Sequence, residues 1–119
     1  MNTVSVIHTA FEDTPRVVAF VKVPETMSVN EALEFAFEKT NNIGGSWSRE
    51  AEFEFGGEIV QNPDYCEAVT VMAPLPVNER TGETMGLRST SMGDQMLFGT
   101  TKYKVAAFGF EELGAVCNF

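Results

Sequence analysis

Bases are scarce in this chain. Eight Lys and Arg stand against seventeen Asp and Glu, giving a net charge of −9 and a pI near 4.4. Histidine occurs once and cysteine twice. A shortage of positive charge disfavours direct DNA or RNA binding, which depends on neutralising phosphates. Lys102 and Lys104 share a strand face, and Arg80 and Arg88 flank a loop, but these four bases meet five acids in the same part of the chain. Zinc spacing is missing, because His8, Cys66 and Cys117 lie in unrelated places. No metal or cofactor is therefore expected, and free thiols are the default. Apolar runs long enough to span a bilayer are missing too. The N-terminus lacks a basic run followed by an apolar stretch, so no signal peptide and a cytoplasmic location are expected. No glycine motif has the lysine and helix of a phosphate loop. One histidine gives Ser89 and Ser91 little support as nucleophiles.

What is present is a core-forming chain. Its 119 residues are one domain's worth, and 44% are hydrophobic, ten of them Phe. A folded chain is expected at that apolar content, despite the charge. The charge is concentrated. Residues 25–67 hold ten acids against Lys39 and Arg49, so that stretch alone carries −8. Such a field repels nucleic acid and attracts basic partners.

The pattern predicts a hairpin of strands over 3–11 and 16–23, turning at Glu12–Pro15. Ser28 and Glu31 form a capping box that starts a helix over about 28–41. Its apolar stripe is Val29, Ala32, Leu33, Ala36 and Phe37. Gly44 is expected as the left-handed residue that ends it. Trp47, Ala51, Phe53 and Phe55 alternate with acids, predicting a strand over 46–55. Further strands are expected over 65–73, 87–90, 95–98 and 102–108. Residues 58–63 read either way, 74–86 read as loop, and 109–113 as a last helical turn or an extension.

The fold class is therefore α+β: an antiparallel sheet of five or six strands, one principal helix on one face, and a C-terminal β-meander. The expected core is Trp47, Phe53, Phe55, Val69, Val71, Leu97, Val105 and Phe108 with the helix stripe. His8 is expected at the surface or half-buried. Exposure of Phe35, Phe110 or Phe119 would mark a homodimer or partner surface.

Two segments resemble small uncharacterised proteins encoded by phages, plasmids and related mobile elements. One is Leu87-Arg88-Ser89-Thr90-Ser91-Met92-Gly93-Asp94 with Tyr103-x-Val105-x-x-Phe108-Gly109-Phe110. The other runs from Glu31-Ala32-Leu33-Glu34 through Thr40 and Ile43 to Ser46-Trp47. The resemblance implies a mobile-element context, near anti-restriction or plasmid-maintenance genes, and transfers no catalytic residues.

The candidate partner-binding residues are Glu31, Glu34 and Glu38 on the helix and Glu50, Glu52, Glu54 and Glu58 beyond it. Their bland reading is a solvated face. Their functional reading is imitation of a phosphate backbone, since alternate strand residues lie about 6.5–7 Å apart. That points to a non-enzymatic domain that binds a basic protein of a host or rival element. The alternatives are a structural or oligomeric protein with an incidental acidic surface, and a ligand-binding or hydrolytic domain using Arg88, Ser89, Ser91 and Asp94. Gly93-Asp94 is otherwise a tight turn, with Ser91 or Asp94 capping backbone amides.

Overall fold

The computed structural model describes residues 2–115. It is an α+β fold with strands β1 (Asn2–His8) and β2 (Arg16–Val23), helix α1 (Val29–Lys39), and strands β3 (Glu52–Phe55), β4 (Glu58–Gln61), β5 (Val69–Val71), β6 (Gln95–Phe98), β7 (Thr101–Val105) and β8 (Phe110–Ala115). Six strands form one antiparallel sheet in the order β5-β2-β1-β6-β7-β8, and β3 pairs only with β4. The meander at the C-terminal end is β6-β7-β8, and residues 110–115 are strand rather than helix.

Helix α1 starts where its cap requires. Ser28 Oγ accepts from the Glu31 N–H at 3.2 Å, and Glu31 Oε1 accepts from the Ser28 N–H at 2.9 Å. The helix buries Ala32, Leu33 and Ala36 against Val4 and Val6 of β1, Ala19, Val21 and Val23 of β2, and Met96 of β6. Directly opposed residues of antiparallel strands share a face. The pairs Val4–Val21 and Val6–Ala19 and the pair Val6–Met96 therefore put one apolar layer under the helix. The far face carries Lys22, Lys102 and Lys104 with half-buried Phe20 and Leu97.

Several expectations are corrected. Val29 is 42% exposed. It is the first helical residue, and Met27, ahead of the cap, packs on the core instead. The helix closes at Thr40, with φ −113° and ψ 31°, and Gly44 has no positive φ. The strand expected over 46–55 begins only at Glu52. Side chains claim the backbone before it: Ser46 N–H donates to Asn62 Oδ1 at 2.9 Å, Trp47 N–H donates to Asn42 Oδ1 at 2.9 Å, and Asn62 Nδ2 donates to the Ser46 and Glu50 carbonyls. Such bonds offer the chain an alternative to a ladder. The strand expected over 65–73 shrinks to Val69–Val71, and 87–90 is not strand.

Phe55 and Phe108, placed in the core by pattern, are 56% and 97% exposed. Phe55 belongs to the detached hairpin, and Phe108 sits on the turn between β7 and β8, where the Ala106 N–H donates to the Gly109 carbonyl at 3.0 Å. Phe110 takes the packing role and meets Phe37 edge-on at 6.4 Å. Phe35, Phe53, Val69, Val71 and Leu97 are half-buried, whereas Trp47 and Val105 are buried as expected. His8, expected nearer the surface, is buried. Phe119 and Cys117 fall outside the described residues.

Gly93 adopts φ +94°, as the turn reading required, and a Cβ there would lie 3.1 Å from Ala10 Cβ. Gly93→Val should therefore destabilise by about 1–3 kcal/mol. A melting temperature equal to the wild type's by circular dichroism would contradict that assignment.

Candidate functional site

The structure separates the two candidate sets. Asp94 is fully buried immediately before β6. It accepts from the backbone N–H groups of Thr9 (2.9 Å), Ala10 (3.0 Å) and Ser91 (2.8 Å). It also accepts two bonds from Arg88, at 2.7 and 2.8 Å. Burial alone pushes the Asp94 carboxyl up, but Arg88 and the three amides together outweigh it and hold the group at about 2. The other side of the Arg88 guanidinium clamps Glu12, at 2.8 and 3.2 Å. That bond lowers the Glu12 pKa, and both partners raise the pKa of Arg88. The guanidinium also lies 4.8 Å from the Phe11 ring.

The remaining candidates there are similarly engaged. Ser89 Oγ accepts from the Asn42 N–H at 2.8 Å, and Ser91 Oγ donates to the Ser89 carbonyl at 3.4 Å. Trp47 Nε1 donates to the Arg88 carbonyl at 2.8 Å, and the Leu87 N–H donates to Ser48 Oγ at 2.7 Å. Segment 87–94 is thus a strap tied to three parts of the chain by side-chain hydrogen bonds. Its polar groups hold the fold, and turn chemistry with Asp94 as the cap is what the geometry displays.

His8 joins this strap from β1. Its Nε2 lies 3.0 Å from Thr90 Oγ1, which lies 2.8 Å from Thr40 Oγ1 at the helix end. Thr40 Oγ1 in turn donates to the Ala36 carbonyl. Burial lowers the His8 pKa, and nearby Asp94, Arg88 and Glu12 modify it in opposing directions. Nε2 also lies 3.9 Å from Asp94 Oδ2. One nitrogen facing both Thr90 and Asp94 does not form a nucleophile–base–orienter relay, which uses the two ring nitrogens separately. All three side chains are buried, so the chain of bonds is a structural link between β1, α1 and the strap. Sequence reasoning missed His8, Thr40 and Asn62 because a lone polar residue inside an apolar pattern carries no sign of its partner. Among the described residues, no group of three or more His, Cys, Asp or Glu side chains is placed to hold a metal ion.

The acids form the second set. Glu31, Glu34 and Glu38 are exposed on the outer side of α1. Glu31 is engaged in the cap, whose backbone donor at Ser28 lowers its pKa. Glu38 lies 3.8 Å from Lys39 and lines a shallow cleft with Asp64. Asp64 accepts from the N–H groups of Ile43, Gly44 and Gly45 at 2.7–3.2 Å, which outweigh the upward push of burial and lower its pKa.

Glu50 lies outside the alternation expected of it. It precedes β3 and meets Arg49 at 3.3 Å. Glu52 and Glu54 share one hairpin face with Gln61 and Ile59, and Gln61 Nε2 donates to Glu52 at 2.8 Å. Glu58 pairs with Phe55 and so lies on the other face, with Phe53 and Val60. The strand contributes two acids to one face rather than three. The lysine-bearing side of the main sheet is the face away from the helix. No described helix is long and apolar enough to cross a membrane.

Comparison with known proteins finds no matching family model, no similar curated protein and no similar solved structure.

Proposed function

We propose that the protein is a non-enzymatic, acidic protein-binding domain that modulates a basic nucleic-acid-handling protein. Its contact residues are Glu31, Glu34 and Glu38 on α1 and Glu50, Glu52 and Glu54 on and beside the hairpin, with Glu58 left on the opposite hairpin face. The observation that supports this reading is the β3–β4 hairpin itself. It stands outside the main sheet, and seven of its eight strand residues are exposed, Phe53 alone being half-buried. A two-stranded hairpin is marginal in water by itself. This one nevertheless displays Phe55, Ile59 and Val60 beside its glutamates. Exposed apolar groups interleaved with charge of one sign suit a partner that is both basic and partly apolar. Glu52 and Glu54, two residues apart on one face, are spaced about 7 Å, close to successive phosphates of a nucleic-acid strand. The resemblance of 31–47 and 87–110 to mobile-element proteins agrees with a partner in a host or rival element.

The test is capture from host lysate by the wild type and by a variant carrying Glu50→Lys, Glu52→Lys and Glu54→Lys. The wild type should retain a basic nucleic-acid-binding protein and displace it from DNA in a gel shift. The variant should bind it at least ~10-fold more weakly. Identical partner lists for both proteins would refute the proposal. Self-association is the second reading, favoured by the nearly bare Phe108. A dimer by light scattering that Phe108→Ser dissolves would select it.

A further inference from the structure

The apolar side of the hairpin forms one wall of a groove of about 330 Å³. Phe53, Phe55 and Val60 line it together with Met85 and Gly86, and Gly44, Gly45, Ser46 and Arg49 line it as well. Small-molecule sites begin at about 300 Å³ and combine apolar walls with a few placed polar groups. The groove has that composition.

Its polar groups are the telling feature. Among the described residues, the buried side-chain nitrogen and oxygen atoms without a hydrogen-bond partner are Ser46 Oγ and Arg49 Nε. Both residues line this groove. A buried donor left unpaired costs about 1–3 kcal/mol, and folded proteins keep few of them. Two such groups on residues that line one groove mark it as a place where an acceptor would be stabilised.

Arg49 is held for that task. Its side chain is only 10% exposed. Nη1 donates to the Thr84 carbonyl at 2.6 Å, and the guanidinium carbon lies 4.2 Å from the Phe53 ring centroid. Nη2 reaches Glu50 at 3.3 Å. The plane of the guanidinium is thereby fixed, with Nε a buried donor left without a partner. Gly86 allows the approach of the facing segment, because a Cβ there would overlap Ser46 Oγ.

We infer that this groove binds a small apolar carboxylate, with its hydrocarbon body against Phe53, Phe55, Val60 and Met85 and its oxygens on Arg49 Nε and Ser46 Oγ. A carboxylate suits the site better than a neutral acceptor. The Arg49 charge is otherwise met by Glu50, an exposed group whose attraction is screened by solvent. Hydrogen bonds from a guanidinium to an ionised acceptor are also about twice as strong as neutral ones. The volume admits one ring and a short acid arm. The groove shares Phe55 and Val60 with the proposed partner surface, and Glu50 touches Arg49, but the ligand's own polar contacts are Arg49 and Ser46 and no glutamate.

The probe is 3-phenylpropionate, titrated into the labelled full chain and followed by the backbone amide resonances. Saturable shifts should centre on Gly44, Gly45 and Gly86, and acetate, which lacks the ring, should give none. Arg49→Lys keeps the charge and loses Nε, and should weaken binding at least tenfold. Met85→Glu alters a side chain that is 42% exposed, so folding is spared. Its carboxylate would stand against the ligand, and it too should weaken binding tenfold. Absence of shifts at these amides in the wild type, or unchanged affinity in both variants, would overturn the inference.

Discussion

Asp94→Ala lowers the melting temperature by about 10–20 °C, a loss of about 3–5 kcal/mol. The substitution strips the partner from three backbone amides, those of Thr9, Ala10 and Ser91, and from both Arg88 bonds. Arg88 would keep only Glu12 and the Ser89 carbonyl. A charge deprived of its buried partner is costlier than an ion pair that was never there. The same group predicts the acid response. The folded Asp94 carboxyl titrates at about 2, against an ordinary value of 3.8. Its folded pKa is depressed, so its stabilisation, about 2 kcal/mol, is complete above the ordinary value and is lost as pH falls through the folded one. His8 adds an earlier loss. Its folded pKa lies below the ordinary 6.5, so acid favours the unfolded chain, which takes up the proton first. Urea titrations from pH 7 to 2 on the wild type, His8→Gln and Asp94→Asn would separate the two windows. A wild-type stability that stays flat down to pH 2, or an Asp94→Ala protein that melts within about 2 °C of the wild type, would contradict the role given to this carboxylate.

Trp47→Ala costs about 3–5 kcal/mol, the range for deleting a buried large aromatic. Trp47 is buried beside the strap, its ring meets His8 edge-on at 6.2 Å, and its indole N–H donates to the Arg88 carbonyl. Truncation would open a cavity and leave that carbonyl unpaired where Leu87 and the strap pass. Trp47→Phe keeps most of the apolar area and loses only the hydrogen bond, for about 1–2 kcal/mol. Trp47 is also the sole tryptophan, so the wild-type emission spectrum reports its environment without ambiguity. Equal unfolding free energies for Trp47→Ala and the wild type would place this ring outside the core.

The helix was readable because its signals are local. Ser28 and Glu31 are three residues apart, and Ala32, Leu33 and Ala36 recur at helical spacing, so the cap and the buried stripe need no knowledge of the rest of the fold. The strand 46–55 failed for the opposite reason. The alternation from Trp47 to Phe55 is real, but Asn62, more than ten residues away, bonds the backbone of 46–50 into a turn before the strand can begin. Phe108 shows the same limit. Its neighbours fit a period of two, yet the chain leaves the sheet after Val105 and Phe110 fills the place beside Phe37.

The candidate sites divide along that line. Exposure of Glu31, Glu34, Glu38 and Glu52 followed from charge and local period, because a carboxylate without a partner stays in water. The engagement of Arg88 with Asp94 and Glu12 did not follow. Glu12 is 76 residues from Arg88 in sequence, and no periodicity reports such a distance. The unpaired donors of Ser46 and Arg49 were equally silent, since a missing partner can be recognised only when every neighbour has been placed.

Sequence alone determined the fold class, the helix and its cap, the turn at Gly93 and the acidity of one stretch, each by short-range sterics, period or composition. The tertiary structure decided that the hairpin stands apart from the sheet, that segment 87–94 is a strap instead of a strand, and that Trp47 and His8 meet beneath it. Those outcomes rest on side-chain hydrogen bonds and packing between residues far apart in the chain, whose free energy exists only once the chain has folded around them.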